Sequence, residues 1–261
     1  MSGAFALLLL FAAAGAPPPS TKVDLVHLLA ASRGYRHYLE ICTPTTGTTY
    51  SSVDQSRFAT SMRLMYRCPS DFEDGAPIDF RVPDDDVTPA LAEMQRAGAR
   101  FDVALVDSWH EYAPSWRDIV EVYARMMSGG AMVVHDCLPP VRIMASPFHR
   151  DEGWCGLSYK AFLDFVVDRT DLHYCTVDID YGCGVIWKPP ARPSLAERAR
   201  AFWQRIRGGA SPPPRRPTAL GDDWRAASSD LERAFDVFEA RRPALLQLVH
   251  AESFGALLHV E

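Results

Sequence analysis

The chain has 261 residues, a formal net charge of -6 and 48% hydrophobic residues, enough for one full-sized core and a small appendage. Charged residues at 23% and aromatics at 11% exclude bulk disorder, collagen and coiled coil. The acidic balance argues against a dedicated nucleic-acid binder, whose phosphate contacts favour a basic one. Arginine carries almost all the positive charge, because Lys22, Lys160 and Lys188 are the only lysines among 27 basic residues.

In chain order, Ala4 to Ala16 is an apolar run that reads as an N-terminal helix or a signal-like segment. It ends in small residues before Pro17, but no Lys or Arg precedes it, and it is short for a bilayer span. The six cysteines are scattered without a CxxC pair or zinc-like spacing, which fits a reduced, cytoplasmic protein. Lys22 to Gly34 has the period of an amphipathic helix, with Val23, Val26, Leu29 and Ala30 on one face and Gly34 as its C-cap. Tyr38 to Cys42 is a short strand closed by the loop Thr43 to Gly47. Arg63 to Cys68 and Pro77 to Val82 read as further strands. Thr88 to Ala97 reads as a helix capped from Asp84, Asp85 and Asp86.

Phe101 to Asp107 is the clearest buried strand, and it runs into Asp-Ser-Trp-His. Pro114 to Met127 is helical by period, and Ala131 to Asp136 is a second buried strand with a polar end. Gly156 to Val167 reads as a helix, and Leu172 to Val177 with Gly184 to Trp187 as a final hairpin turning near Asp180. Beyond Pro189 come a helix (Ser194 to Arg207), a Pro-rich linker (Ser211 to Pro217) and helical stretches at Ser228 to Arg241 and Pro243 to Phe254. The chain therefore divides into an apolar segment (1–21), one α/β domain (22–190) and a helical extension (191–261). Strands alternating with helices predict a mostly parallel sheet. Ligands sit outside the carboxyl ends of such strands. Glu40 to Gly47, Asp107 to His110 and His135-Asp136 are therefore the places to look for chemistry.

These stretches, in their order, carry a family likeness. Tyr38-Leu-Glu-Ile-Cys-Thr-Pro-Thr-Thr-Gly47, Phe101-Asp-Val-Ala-Leu-Val-Asp-Ser-Trp-His-Glu-Tyr112, Ser128-Gly-Gly130 and Val133-Val-His-Asp-Cys137 resemble the class I S-adenosylmethionine-dependent methyltransferases. The likeness spans Arg36 to Trp187 and points to their small-molecule O-methyltransferase-like branch. It implies a seven-stranded sheet whose last strand is antiparallel, in line with the hairpin. It also implies S-adenosylmethionine bound by Glu40, by Cys42, Thr43, Thr46 and Gly47 of the first loop, and by Asp107. This loop departs from the glycine-rich family pattern, with Cys42, Pro44 and Thr46 where glycines are expected and only Gly47 left. The end of the second strand reads Arg67-Cys68-Pro69, with Asp71 the nearest acid for the ribose.

The likeness further implies that Asp107 and Asp136 fall on metal positions for Mg2+ and that His110 falls on the base. A hard cation held by carboxylates orients an acceptor hydroxyl and acidifies it, and a histidine takes up protons near neutrality. The third metal position holds Cys137, a soft ligand ill matched to magnesium. Structural alternatives stand beside each role: Asp107 and Asp136 as strand-end caps, His110 and His135 as hydrogen-bonded structural histidines, Trp109 and Tyr112 as packing residues. The expected activity is O-methylation of a small-molecule hydroxyl on a sugar or natural product, with no nucleic-acid or membrane partner. A homodimer through the C-terminal helices is a further expectation. A non-catalytic scaffold with a degenerate cofactor loop is the rival, and an NAD-dependent oxidoreductase lacks its GxGxxG pattern.

Overall fold

The computed structural model describes residues 17–44, 48–73, 75–82, 85–107, 109–151, 153–191 and 218–258. The apolar run 4–16, the helix expected at 194–207, the Pro-rich linker and the loop residues Thr46 and Gly47 lie outside them. Helix α1 (Lys22–Arg33) opens on a capping box, in which the Thr21 side chain accepts from the backbone of Asp24 and the Asp24 side chain accepts from that of Thr21. It ends at Gly34, whose φ of 70° suits a residue without a Cβ. Its apolar face, Leu25, Val26, Leu29 and Ala30, is buried.

The remaining elements are β1 (His37–Cys42), α2 (Thr48–Ser52), β2 (Thr60–Tyr66), β3 (Phe80–Val82), α3 (Thr88–Arg96), β4 (Val103–Asp107), α4 (Tyr112–Arg125), β5 (Ala131–Val134), α5 (Ser158–Val166), β6 (His173–Val177) and β7 (Cys183–Trp187). In the C-terminal part come α6 (Thr218–Ala227), α7 (Leu231–Leu245), β8 (Leu248–Val249) and α8 (Ala251–Leu257). One sheet runs in the order β3-β2-β1-β4-β5-β7-β6-β8. β7 is antiparallel to both β5 and β6, and every other pair is parallel. This is the mostly parallel, class I methyltransferase-like architecture with an antiparallel last hairpin that the resemblance implied.

Three details differ from the sequence reading. β2 begins at Thr60, three residues before the expected strand, because pairing with β1 overrides a weak local pattern. β3 covers only Phe80–Val82, three residues of the expected strand Pro77 to Val82. The stretch expected as a helix over Pro243 to Phe254 is split, with α7 running through Pro243 to Leu245 and Leu248-Val249 adding an eighth strand beside β6.

Helices cover both faces of the sheet. Leu91 and Met94 of α3, Ile119 and Val122 of α4, Phe162 of α5, Trp224 of α6 and Phe235 and Phe238 of α7 share one core with the strands. Leu25 and Leu29 of α1, Tyr50 of α2 and Phe254 of α8 share the other. Trp224, Phe235, Phe238 and Phe254 of the C-terminal helices are thus buried on their own chain. Asp164 of α5 ties them down, accepting from Trp224 Nε1 at 2.7 Å, Tyr112 Oη at 2.8 Å and Lys160 Nζ at 2.6 Å. Among the described residues no helix is long and apolar enough to cross a membrane.

Candidate active site

The chain runs outward from β1 to β2 and β3, then returns to β4 and runs outward the other way. The strand order therefore reverses between β1 and β4, and the crevice outside their carboxyl ends is where such a sheet receives a ligand. Cys42 and Asp107, the last residues of these two strands, are partners in register. Asp107 is fully buried at its side chain. His110 follows in the loop before α4. His135 and Asp136 follow β5, and Asp136 makes the turn with φ 59°, a conformation aspartate tolerates better than most residues.

Four polar atoms from these residues converge. His110 Nε2 lies 3.3 Å from Asp107 Oδ1 and 3.1 Å from Asp136 Oδ2. His135 Nδ1 lies 3.2 Å from the same Asp107 oxygen and 3.1 Å from the same Asp136 oxygen. Two further groups arrive from distant parts of the chain. Lys22 Nζ, at the start of α1, donates to Asp107 Oδ2 at 2.6 Å. Asp180, in the β6–β7 turn, places Oδ1 3.4 Å from His135 Nε2 and accepts from the Lys22 backbone N–H at 3.3 Å.

The His110 ring is oriented by the loop before α5. Its Nδ1 lies 2.8 Å from the Trp154 carbonyl oxygen, which can only accept, so that nitrogen carries the proton and Nε2 faces the carboxylates. The Leu157 N–H donates to the His110 carbonyl at 2.7 Å. Gly156 makes this approach possible: its φ is 58°, and a Cβ there would stand 2.2 Å from His110 O.

Burial works against charge throughout the cluster, and the neighbours outweigh it. Burial alone would raise the Asp107 carboxyl, but His135, Lys22 and the His110 hydrogen bond hold it well below the usual carboxylate range. Burial would likewise lower both imidazoles. Asp136 and Asp107 raise His110 above its ordinary value and raise His135 well above it. The Lys22 ammonium is held above its ordinary value by Asp107 despite its burial. Asp180 is lowered, its burial outweighed by His135 and Lys22.

The structure brings together Asp107, His110 and Asp136, the three residues expected to carry chemistry. Each offers one ligand atom, and these atoms all lie within 4.8 Å of one another. Two carboxylate oxygens and an imidazole nitrogen suit a divalent cation, the oxygens matching magnesium and the nitrogen a softer ion. Cys137 stays out of this group; its thiol donates to the Val134 carbonyl at 3.3 Å and is buried in the core. Of the residues expected at the cofactor, Glu40, Cys42 and Thr43 are buried at the end of β1 and just after it. The Glu40 carboxyl is pushed up to about 7 by burial.

Lys22 and Asp180 were not among the expected site residues, whereas His135, expected only as part of a polar strand end with a structural alternative, joins the cluster. The rarity of lysine in an arginine-rich chain was the available signal for Lys22, and its position at a helix start concealed it. Beside the cluster stands an aromatic wall. Trp109 stacks on His149 with ring centroids 4.9 Å apart, Trp154 meets Trp109 edge-on at 5.0 Å, and the Arg67 guanidinium lies 4.0 Å from the Trp109 ring centre.

Residues 22–137 match the family model described as a methyltransferase domain. The fold is similar to that of TomG, the O-methyltransferase from Streptomyces achromogenes involved in tomaymycin synthesis, solved in complex with SAM. The identity is 20%, the match covers 64% of this chain and 79% of that chain, and the TM-score is 0.46. The chain is also similar to the O-methyltransferase from Bacillus cereus in complex with SAH, at 12% identity, with 69% of this chain and 88% of that chain covered and a TM-score of 0.45. The SAH-bound methyltransferase PaMTH1 from Podospora anserina shows 12% identity, 72% and 89% coverage and a TM-score of 0.45. A search of curated proteins gave no match.

Proposed function

Starting from a class I methyltransferase fold whose residues 22–137 match a methyltransferase-domain family, we propose that the protein moves the methyl group of S-adenosylmethionine to a hydroxyl oxygen of a small molecule, such as a sugar or natural product. One observation carries the reading: Asp107, His110 and Asp136 converge at the carboxyl edge of the sheet, beside the loop that follows β1.

Methyl transfer forms an O–C bond as the C–S bond of the sulfonium breaks, so the acceptor oxygen must be aligned and must shed its proton. His110 is built to take that proton. Its Nδ1 is committed to the Trp154 carbonyl, which leaves Nε2 as the atom that receives the proton once the acceptor hydroxyl is in place. The imidazolium formed lies between Asp107 and Asp136, whose charges stabilise it. The same two carboxylates orient the acceptor. They are also the residues that would hold a divalent cation such as magnesium, which when bound supplies Lewis acidity toward the hydroxyl. Glu40, Cys42 and Thr43 on and just after β1 are assigned to the floor of the cofactor site, together with Thr46 and Gly47 next in sequence, and Asp107, partner of Cys42 in register, to its β4 side. The rings of Trp109, His149 and Trp154 provide a wall for the acceptor.

Calorimetric titration with S-adenosylhomocysteine is expected to give a saturable heat. No heat at millimolar ligand would favour the rival reading, a non-catalytic scaffold acting through its C-terminal helices. Self-association is a secondary expectation; in those helices Leu231 and Leu257 are exposed, at 39% and 43%, and a light-scattering mass of one chain would exclude a dimer. With an acceptor found by release of S-adenosylhomocysteine, Asp136→Asn is the decisive variant, because asparagine tolerates the left-handed turn. It is expected to keep its thermal melt and to lose turnover by on the order of a hundredfold or more. Turnover at the unaltered rate would remove Asp136 from the mechanism.

A further inference from the structure

Lys22 is held at the site from two directions. Its backbone N–H is tied to Asp180 at the capped start of α1, and its ammonium sits 2.6 Å from Asp107 Oδ2 with only 13% of the side chain exposed. Lysine is rare in this chain, and a flexible surface cation would not be fixed at both ends. Asp107 is also one of the three residues arranged to take a cation. Its Oδ1 faces His110 and His135, and its Oδ2 faces Lys22. An ammonium on one oxygen of that carboxylate and a divalent ion on the other repel each other across a few ångströms, so each weakens the other's hold.

The charges lead to the same point. Asp107, Asp136 and Asp180 face one ammonium and two imidazoles. The ammonium and the imidazole nitrogens already line these carboxylates, and a doubly charged ion entering among them is helped by the withdrawal of one of them. Lys22 is the one whose stem can swing away, because four rotatable bonds separate its charge from the backbone. The imidazole of His110 is fastened by the Trp154 carbonyl.

We propose that Lys22 is the resident cation of the acceptor site, a tethered competitor whose ammonium on Asp107 opposes the binding of a divalent ion there. This rests on the reading of Asp107 and Asp136 as the acceptor-orienting pair. As a positioning residue, Lys22 keeps Asp107 aimed when no ion is present, and it sets how tightly an ion is held. A competitor that leaves the carboxylate free one-tenth of the time weakens apparent ion binding about tenfold.

The test is a titration of the whole chain with manganese(II) alone, following free ion by electron paramagnetic resonance and heat by calorimetry. It compares the unaltered protein with Lys22→Met and with Lys22→Met combined with Asp107→Asn. Lys22→Met is expected to bind manganese at least about tenfold more tightly than the unaltered protein, and the added Asp107→Asn to lose that binding. Lys22→Gln replaces Lys22→Met if the latter fails to give a cooperative melt. Equal or weaker binding by the Lys22 variant overturns the proposal, as does manganese binding that survives Asp107→Asn. No methyl transfer is measured, so failure here leaves the proposed activity standing, and loss of S-adenosylhomocysteine binding would leave this result untouched.

Discussion

Asp107 and Glu40 are both carboxylates at the centre of the sheet, two residues apart in the register of the paired strands β4 and β1, and both are buried. They are nevertheless kept in opposite states. Asp107 touches Lys22, His110 and His135 directly and stays ionised far into acid. Glu40 receives the Tyr38 hydroxyl at 2.6 Å and lies opposite Arg63 on β2, yet burial outweighs both and lifts it to about 7. Its other oxygen, Oε1, has no hydrogen bond among the described residues. Direct contact with cationic nitrogens, rather than depth, separates the two. The strand-end carboxylate is equipped to act on the acceptor, and the mid-sheet one belongs to the floor of the proposed cofactor site.

The largest effect should come from breaking the Asp107 side. Asp107→Asn removes the charge in direct contact with Lys22 and one of the three carboxylates that face the two histidines. Removing one partner from a buried charged cluster typically costs about 3–5 kcal/mol. Urea unfolding at pH 7 should show a loss of that size, and methyl transfer should fall further than the unfolded fraction accounts for. A loss below about 1 kcal/mol would mean that the contacts do not hold the cluster together, and the contrast with Glu40 would collapse.

The two carboxylates also differ in how much of their surroundings the sequence disclosed. Phe101 to Asp107 and Ala131 to Asp136 are apolar runs with polar ends, so the strands and the meeting of Asp107, His110 and Asp136 follow from the rule that parallel strands converge on one edge. Lys22 is 85 residues from Asp107, and its side of α1 is decided by how that helix docks. Asp180 reaches His135 only because β7 runs antiparallel and returns its turn to the same edge. Neither leaves a local signal. The eighth strand was hidden for another reason: Leu248-Val249 lies within a continuous apolar stretch that fits helical spacing, and its strand state is imposed by β6. The Glu40–Arg63 pairing depends on the register of β1 against β2, which a strand expected to begin at Arg63 could not supply.

A middle-sized effect concerns pH. A buried carboxyl raised from its ordinary 4.5 to about 7 adds stability that is complete below 4.5 and is lost as pH climbs to 7. The difference corresponds to about 3 kcal/mol. Asp107 works in the opposite sense: its contribution is present above the ordinary carboxylate value and disappears as pH falls through its depressed one. Urea unfolding between pH 5 and pH 8 should therefore show declining stability in the unaltered protein and a flatter profile in Glu40→Gln. The raised histidines also lose stability as pH rises, but they do so in both proteins, so the difference between the two profiles isolates Glu40. Parallel profiles would place Glu40 in the ordinary carboxylate range.

The smallest effect tests the same assignment from the donor side. Tyr38→Phe deletes the hydroxyl that donates to Glu40 Oε2 and keeps the ring stacked on Tyr50 and Phe58. The cost should be about 1 kcal/mol, as for a single hydrogen bond. It should also depend on pH. A hydrogen bond to a carboxylate is stronger than one to a neutral carboxyl, so the penalty is expected to be larger at pH 8, where Glu40 is ionised, than at pH 5, where it carries its proton. A penalty equal at both values would mean that Glu40 does not change charge in that window. The two carboxylates would then differ in position and not in state.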